Sequence, residues 1–380
     1  MRAIVIGAAL LSLIEGIAFA AGVKVMTRNL YLGADLGPGT DAASLQELVD
    51  GAGQILNQVD ANRFDIRAEG LAREILKRKP DLVGLQEVAL WRQAPCTDNP
   101  LLFTATEVRP AGDFLDLLLE RLNRNGKKGR YNVVIAEPEF DFQVWANTDG
   151  DVNTSAPGCP FGSEIEGRLT MRDVILVRNR RRITTVDPAG DHFDTLLQVL
   201  PGGIPINVTR GWTKVTAQIR RSEPFTFVNT HLEAFDNNAT NPTNQGTNVG
   251  NGEVREAQAE ELFAPGGPAS GSRVILVGDL NSDTETPLKP GDELANQALL
   301  DAGFVELSTS DPLSCCLNAD VLTEDGGGDV SQFDHKVDHV MTNAPDGVQL
   351  RRSKVSGLTP VNGFWDSDHA GLFSALRFVR

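Results

Sequence analysis

Six short apolar runs in this chain each carry an acid, an amide or a histidine at or near one end, where strand propensity alone would not place it. The runs are "MTRNLYLG" (26–33), "LVGLQEV" (82–88), "FVNTHLEA" (227–234), "ILVGDLNSD" (275–283), "KVDHVMT" (336–342) and "DSDHAGL" (366–372). Residues at the ends of strands share one rim of a sheet. Several such ends can converge on one site, with a buried apolar body behind them.

The rest of the chain supplies that body. "RDVILVR" (172–178), "KVTAQIR" (214–220) and "RVILVGDL" (273–280) are short β-rich runs, and "YNVVIAE" (131–137) is a further strand. Apolar positions Ile66, Leu71, Ile75 and Leu76 recur at helical spacing and end at Pro80, while "FLDLLLERLNR" (114–124) and "EVREAQAEELF" (253–263) read as helices. The segment 138–170, rich in Asn, Asp, Gly and Pro, reads as one long loop over a pocket. Many strands, with a few helices between them, suggest an α+β arrangement of two mixed sheets packed face to face with helices outside.

Each polar residue has an ordinary explanation. Asn29 can begin a turn, Glu87 can be an exposed strand residue, and Asp338 can pair with Lys336. His231, His335 and His339 can each be hydrogen-bonded in the core or on the surface. Asp279 and Asn281 are stronger together, because side chains two apart on extended backbone point the same way.

The ordered set resembles the endonuclease/exonuclease/phosphatase superfamily, which includes secreted deoxyribonucleases, apurinic endonucleases, sphingomyelinases and inositol polyphosphate phosphatases. The resemblance implies a four-layer αββα sandwich with the site at one end, and hydrolysis of phosphoric esters with Mg²⁺, or with Mn²⁺ or Ca²⁺ in its place. It implies Glu87 as metal ligand, Asp368 close by, and Asn29 between the metal's water and phosphate. Asp279 would orient or deprotonate the attacking water, Asn281 would donate to a phosphoryl oxygen, and Asp338 would hold His369. His231 matches the second histidine of the deoxyribonuclease and sphingomyelinase branches; which histidine protonates the leaving group stays open. Arg172 and Arg210 form a second tier aimed at phosphate. Asp366 falls outside the motif and reads as a solvated loop residue.

The N-terminus "MRAIVIGAALLSLIEGIAFA" has the basic start, apolar stretch and small-x-small ending of a signal peptide over 1–20, leaving 21–380 as the catalytic domain of a secreted or periplasmic protein. No second long apolar run suggests a transmembrane span. Of the four cysteines, Cys96 and Cys159 both lie in Pro-rich loop sequence and are the favoured disulfide. Cys315 and Cys316 either reach elsewhere or bridge each other. The formal charge of −16 disfavours duplex nucleic acid and favours a small phosphoester or a lipid headgroup as partner, with a monomer expected. A nuclease of the same fold and an inactive binding protein that keeps it are the alternatives.

Overall fold

The computed structural model describes residues 22–379 except 125–129, 181, 221, 236–251, 310, 319–321 and 323–326. The expected signal peptide lies outside the described residues. In chain order the first strands are β1 (Gly22–Asn29), β2 (Leu82–Gln86), β3 (Leu90–Ala94), β4 (Glu107–Asp113), β5 (Tyr131–Ala146) and β6 (Ile165–Arg178). Then come β7 (Ile183–His192), β8 (Leu197–Val199), β9 (Ile206–Val208), β10 (Gly211–Ile219) and β11 (Phe225–His231). The last are β12 (Val274–Asp279), β13 (Val305–Glu306), β14 (Asp338–Thr342), β15 (Val348–Ser356) and β16 (Gly371–Phe378).

They form one eight-stranded sheet, β15-β16-β1-β2-β6-β3-β4 with β5 paired to β6, and one six-stranded sheet, β13-β14-β12-β11-β10-β7. β8 and β9 make a separate ribbon. The period-two alternation of strands decides which residues meet. In β11 and β12, Phe225, Phe227, Ile275 and Val277 face the other sheet, where they join Val23, Val25 and Leu82 in a central core. Val228, Val274 and Leu276 face outward onto the helices α5 (Glu253–Phe263) and α6 (Leu294–Asp301). The outer face of the larger sheet is covered by α2 (Leu45–Asn62), α3 (Phe64–Arg78) and α4 (Phe114–Asn123), which follow a single-turn α1 (Gly37–Thr40). The four layers are helix, sheet, sheet, helix, as the sequence pattern predicts.

The segment 138–170 departs from expectation. β5 continues to Ala146 and β6 starts at Ile165, so a long hairpin occupies most of it. Its apolar residues Phe140, Phe142 and Val144 alternate with polar ones, and that strand signal outweighs the turn-forming composition, which is confined to 147–164. Cys96 and Cys159 are bonded, with Cα atoms 5.3 Å apart, and tie the tip of this hairpin to the loop after β3; Cys315 and Cys316 bridge each other.

Two parallel pairings set the rim. β1 runs parallel to β2 in one sheet and β11 parallel to β12 in the other, so Asn29, Glu87, His231 and Asp279 leave the core at one end. β14 and β16 run antiparallel to those strands, so their first residues arrive at the same end: Asp338 begins β14, and Asp368 and His369 directly precede β16.

Candidate active site

Asp279 is the centre of the cluster. Its Oδ2 accepts a hydrogen bond from Asn29 Nδ2 at 2.9 Å, and its Oδ1 accepts from the backbone N–H of Asn281 at 2.9 Å. Oδ2 also stands 3.5 Å from His369 Nε2 and 3.7 Å from His231 Nε2. Asn29 Nδ2 donates a second bond to Glu87 Oε1 at 3.1 Å, and the other Glu87 oxygen accepts from the Leu32 N–H at 2.7 Å. The four strand-end residues from two different sheets are thus in contact, or nearly so.

The two histidines are set to different charge states, one cationic and one neutral. Burial alone would hold His369 neutral, but Asp338, Asp279 and Asp368 outweigh it and keep its pKa well above the ordinary histidine value. Its Nδ1 lies 2.9 Å from Asp338 Oδ2, leaving Nε2 facing Asp279. For His231, burial, then Arg210, then His369 push the pKa well below the ordinary value. Arg210 Nη1 donates to His231 Nδ1 at 3.2 Å, which assigns the ring proton of the neutral form to Nε2, on the rim side. Arg210 in turn rests on Glu233, with Nη2 3.2 Å from its Oε1.

Two residues of the cluster adopt left-handed backbone, Glu87 at φ +53° and Asn281 at φ +47°. Such conformations persist in non-glycine residues when surrounding contacts over-determine them, and they concentrate at functional sites. The turn at Asn281 breaks the extended spacing assumed for Asp279 and Asn281. Its side chain is anchored instead by donation to the Leu232 carbonyl at 2.9 Å, leaving one amide hydrogen for a ligand. Arg172 is also placed elsewhere: it bonds the carbonyls of Val88 and Ala89 and the Asp113 carboxylate, fixing the loop behind Glu87.

Asp366 is a correction. It is 2% exposed, beside α3, and burial together with Glu74 raises its pKa well above the usual range. Only glycine fits at position 70 opposite it, since a Cβ there would lie 1.6 Å from Asp366 Oδ1. Arg28 and Arg67, neither of them singled out by motif reading, are fully buried around this acid. Arg28 holds the His369 and Asn29 carbonyls and Glu74, and Arg67 holds the Leu30 and Asp366 carbonyls. They fix the backbone that presents Asn29 and His369. A charge inside a strand or on an apolar helix stripe was the available signal. Glu139 was missed as well; it and Asp173, the neighbour of Arg172, are both buried, none of their carboxylate oxygens has a hydrogen-bond partner, and burial raises both pKa values well above the ordinary range.

At the rim, two groups of described residues could hold a cation. Asp279, Asp338 and His369 offer ligand atoms within 4.8 Å of one another, but His369 Nδ1 is already paired with Asp338 Oδ2. Glu87 with Asp368 fits better. After burial, the nearby Asp368 charge is the next cause raising the Glu87 pKa, which is the repulsion a hard divalent cation between oxygen donors would relieve.

A four-layer sandwich carrying this acid, amide and histidine rim is of the DNase I-like class, in which phosphoester hydrolysis is the common activity. The chain belongs to the endonuclease/exonuclease/phosphatase family, whose profile matches residues 49–369. An endonuclease/exonuclease/phosphatase family protein from Bacteroides thetaiotaomicron superposes with a TM-score of 0.52 at 13% identity, over 95% of this chain and 99% of that one. A mannosyl-6-phosphatase from the same organism gives 0.50 at 14% identity, over 94% and 100%. These likenesses establish the fold. No curated protein matches in sequence.

Proposed function

We propose that this protein is a secreted or periplasmic hydrolase of phosphoric esters that depends on Mg²⁺ or a similar divalent cation. The observation that carries the reading is Asp279, held by Asn29 and Asn281 between one charged and one neutral histidine. A divalent cation at Glu87 and Asp368 supplies neutralisation of phosphoryl charge when bound. Asp279 orients the attacking water and takes its proton; its raised pKa, due to burial and opposed by His369, suits a general base. As the P–O bond to the alcohol breaks, His369 gives its Nε2 proton to the leaving oxygen, and Asp338 steadies the imidazolium. His231, neutral with its proton on Nε2, and Asn281 donate hydrogen bonds to non-bridging oxygens. Histidines whose environments drive their pKa values apart favour this division of labour.

The net charge of −16 supports a small or lipid-derived substrate over duplex nucleic acid. The test is hydrolysis of bis(p-nitrophenyl) phosphate by purified protein with Mg²⁺ or Mn²⁺. Turnover should disappear with chelator and return on adding metal. Metal-independent turnover, or none on any phosphoester in a panel of plasmid DNA, RNA, sphingomyelin and inositol phosphates, would defeat the reading.

A further inference from the structure

A cavity of about 650 Å³ adjoins the rim cluster. It is lined by one face of α2, by Phe140 and Phe142 of β5, by Leu169 and Met171 of β6, and by the β8–β9 ribbon with Val199. Among the described residues four charged ones line it: Glu87, Asp368 and Arg210 belong to the catalytic rim, and the fourth is Asp35. Beyond these the uncharged polar lining is sparse, chiefly Thr40, Gln198 and Asn318. Close-packed interiors hold few voids larger than a water molecule, and pockets of roughly 300–1,000 Å³ are the size that encloses small ligands. An empty space of this size beside charged catalytic residues has two chemistries in contact: a polar end that suits a phosphoryl group and an apolar body.

We infer that the substrate is a phosphoester carrying an aliphatic chain, with the phosphoryl group at the rim and the chain in this cavity. The inference rests on the phosphoesterase reading and names its substrate class. A sugar or nucleoside would bury hydroxyls and ring nitrogens against Leu, Val and Phe with few partners, which apolar walls penalise. An alkyl chain needs no partners and gains from leaving water. Phe140 and Phe142, half-buried with ring centroids 6.3 Å apart, give one wall a continuous aromatic surface.

The experiment has a kinetic arm and a binding arm. In the first, methyl, butyl and octyl 4-nitrophenyl phosphodiesters are hydrolysed with Mg²⁺ below micellar concentrations. KM should fall by up to about fourfold per added methylene, the equivalent of ~0.8 kcal/mol each, with kcat little changed. In the second, methylphosphonate and octylphosphonate are titrated calorimetrically, so that chain affinity is read without turnover. Ala52→Phe fills the cavity from α2, and Val199→Glu places a charge in its wall from the half-buried ribbon. Either should abolish the chain-length gain while sparing the methyl ester. If the methyl ester is hydrolysed and longer chains bring no gain in either arm, the hydrolase stands and the aliphatic substrate is overturned. The inference is equally overturned if the gain survives both variants. If no ester turns over but octylphosphonate still binds more tightly, and both variants remove that gain, the cavity assignment holds and the hydrolase reading fails.

Discussion

Two buried acid–histidine clusters sit back to back on β14, built around the adjacent residues Asp338 and His339. Neighbours on a strand face opposite sides, so Asp338 meets His369 at the rim while His339 meets Glu306. The Glu306 cluster is balanced. His339 Nδ1 lies 2.7 Å from Glu306, His339 Nε2 reaches the Ser282 carbonyl, Lys336 Nζ is 3.2 Å from Glu306, and Ser308 donates to it. Burial would raise the Glu306 pKa, but His339 and Lys336 bring it down to about 2. At the rim the sign reverses: Glu87, Asp279 and Asp173 are all raised, first by burial and then by neighbouring acids, which His369 and Arg210 offset only in part. A cluster that serves the fold satisfies its acids; the rim leaves them short of positive charge, in the state a cation and a phosphoester would complete.

Substitutions on the two sides should therefore behave differently. Asp279→Ala is expected to lower kcat/KM by roughly 10²–10⁴-fold, the range for loss of a general base, while the fold survives. Equal activity on bis(p-nitrophenyl) phosphate would remove Asp279 from the chemistry. Asp338→Asn deletes the largest charge holding the His369 proton, so that the pKa falls. The alkaline limb of the pH–rate profile should move to lower pH; an unmoved limb would assign that limb to another group.

On the balanced side, Glu306→Gln should spare turnover and cost about 3 kcal/mol of stability at neutral pH, the low end for removing one partner of a largely buried pair. The folded pKa of about 2 lies below the ordinary 4.5, so wild-type Glu306 contributes fully above about pH 4.5 and loses that contribution as pH falls towards 2. Denaturant melts across this window should converge for the two proteins at the acid end. The smallest change is expected for Asp173→Asn. Its folded pKa is raised, so the wild type loses stability as pH climbs above the ordinary value of 3.8, and the amide avoids that loss. The variant should gain about 1 kcal/mol at pH 7, the scale of one relieved buried polar group. A clear loss would show that the Asp173 charge is needed opposite Arg210.

The rim was legible because each of its residues interrupts an apolar strand, and a polar side chain at a fixed strand end carries its position in its spacing. Glu87, Asp279, Asp338 and His369 all converge as their strand ends imply. The supporting shell was not legible. Arg28 and Arg67 act on backbone carbonyls that are distant in sequence, and no spacing records such a bond. Asp366 looked solvated because its partner Glu74 lies 292 positions away. α2 was equally hidden: Gly51 and Gly53 weaken its helical signal, yet at 53 a Cβ would come within 1.6 Å of the Asn147 carbonyl oxygen. Close approach to the β5–β6 hairpin fixed the residue there, against local propensity.

The Asn29–Asp279 and His369–Asp338 hydrogen bonds each join one sheet to the other. Neither sheet owns a working half of the site. Catalysis is consequently a vernier on the seating of the two sheets, and displacements near 1 Å, too small to melt a strand, are enough to idle it. On gentle warming, activity should fade while the β-sheet circular dichroism signal is still intact.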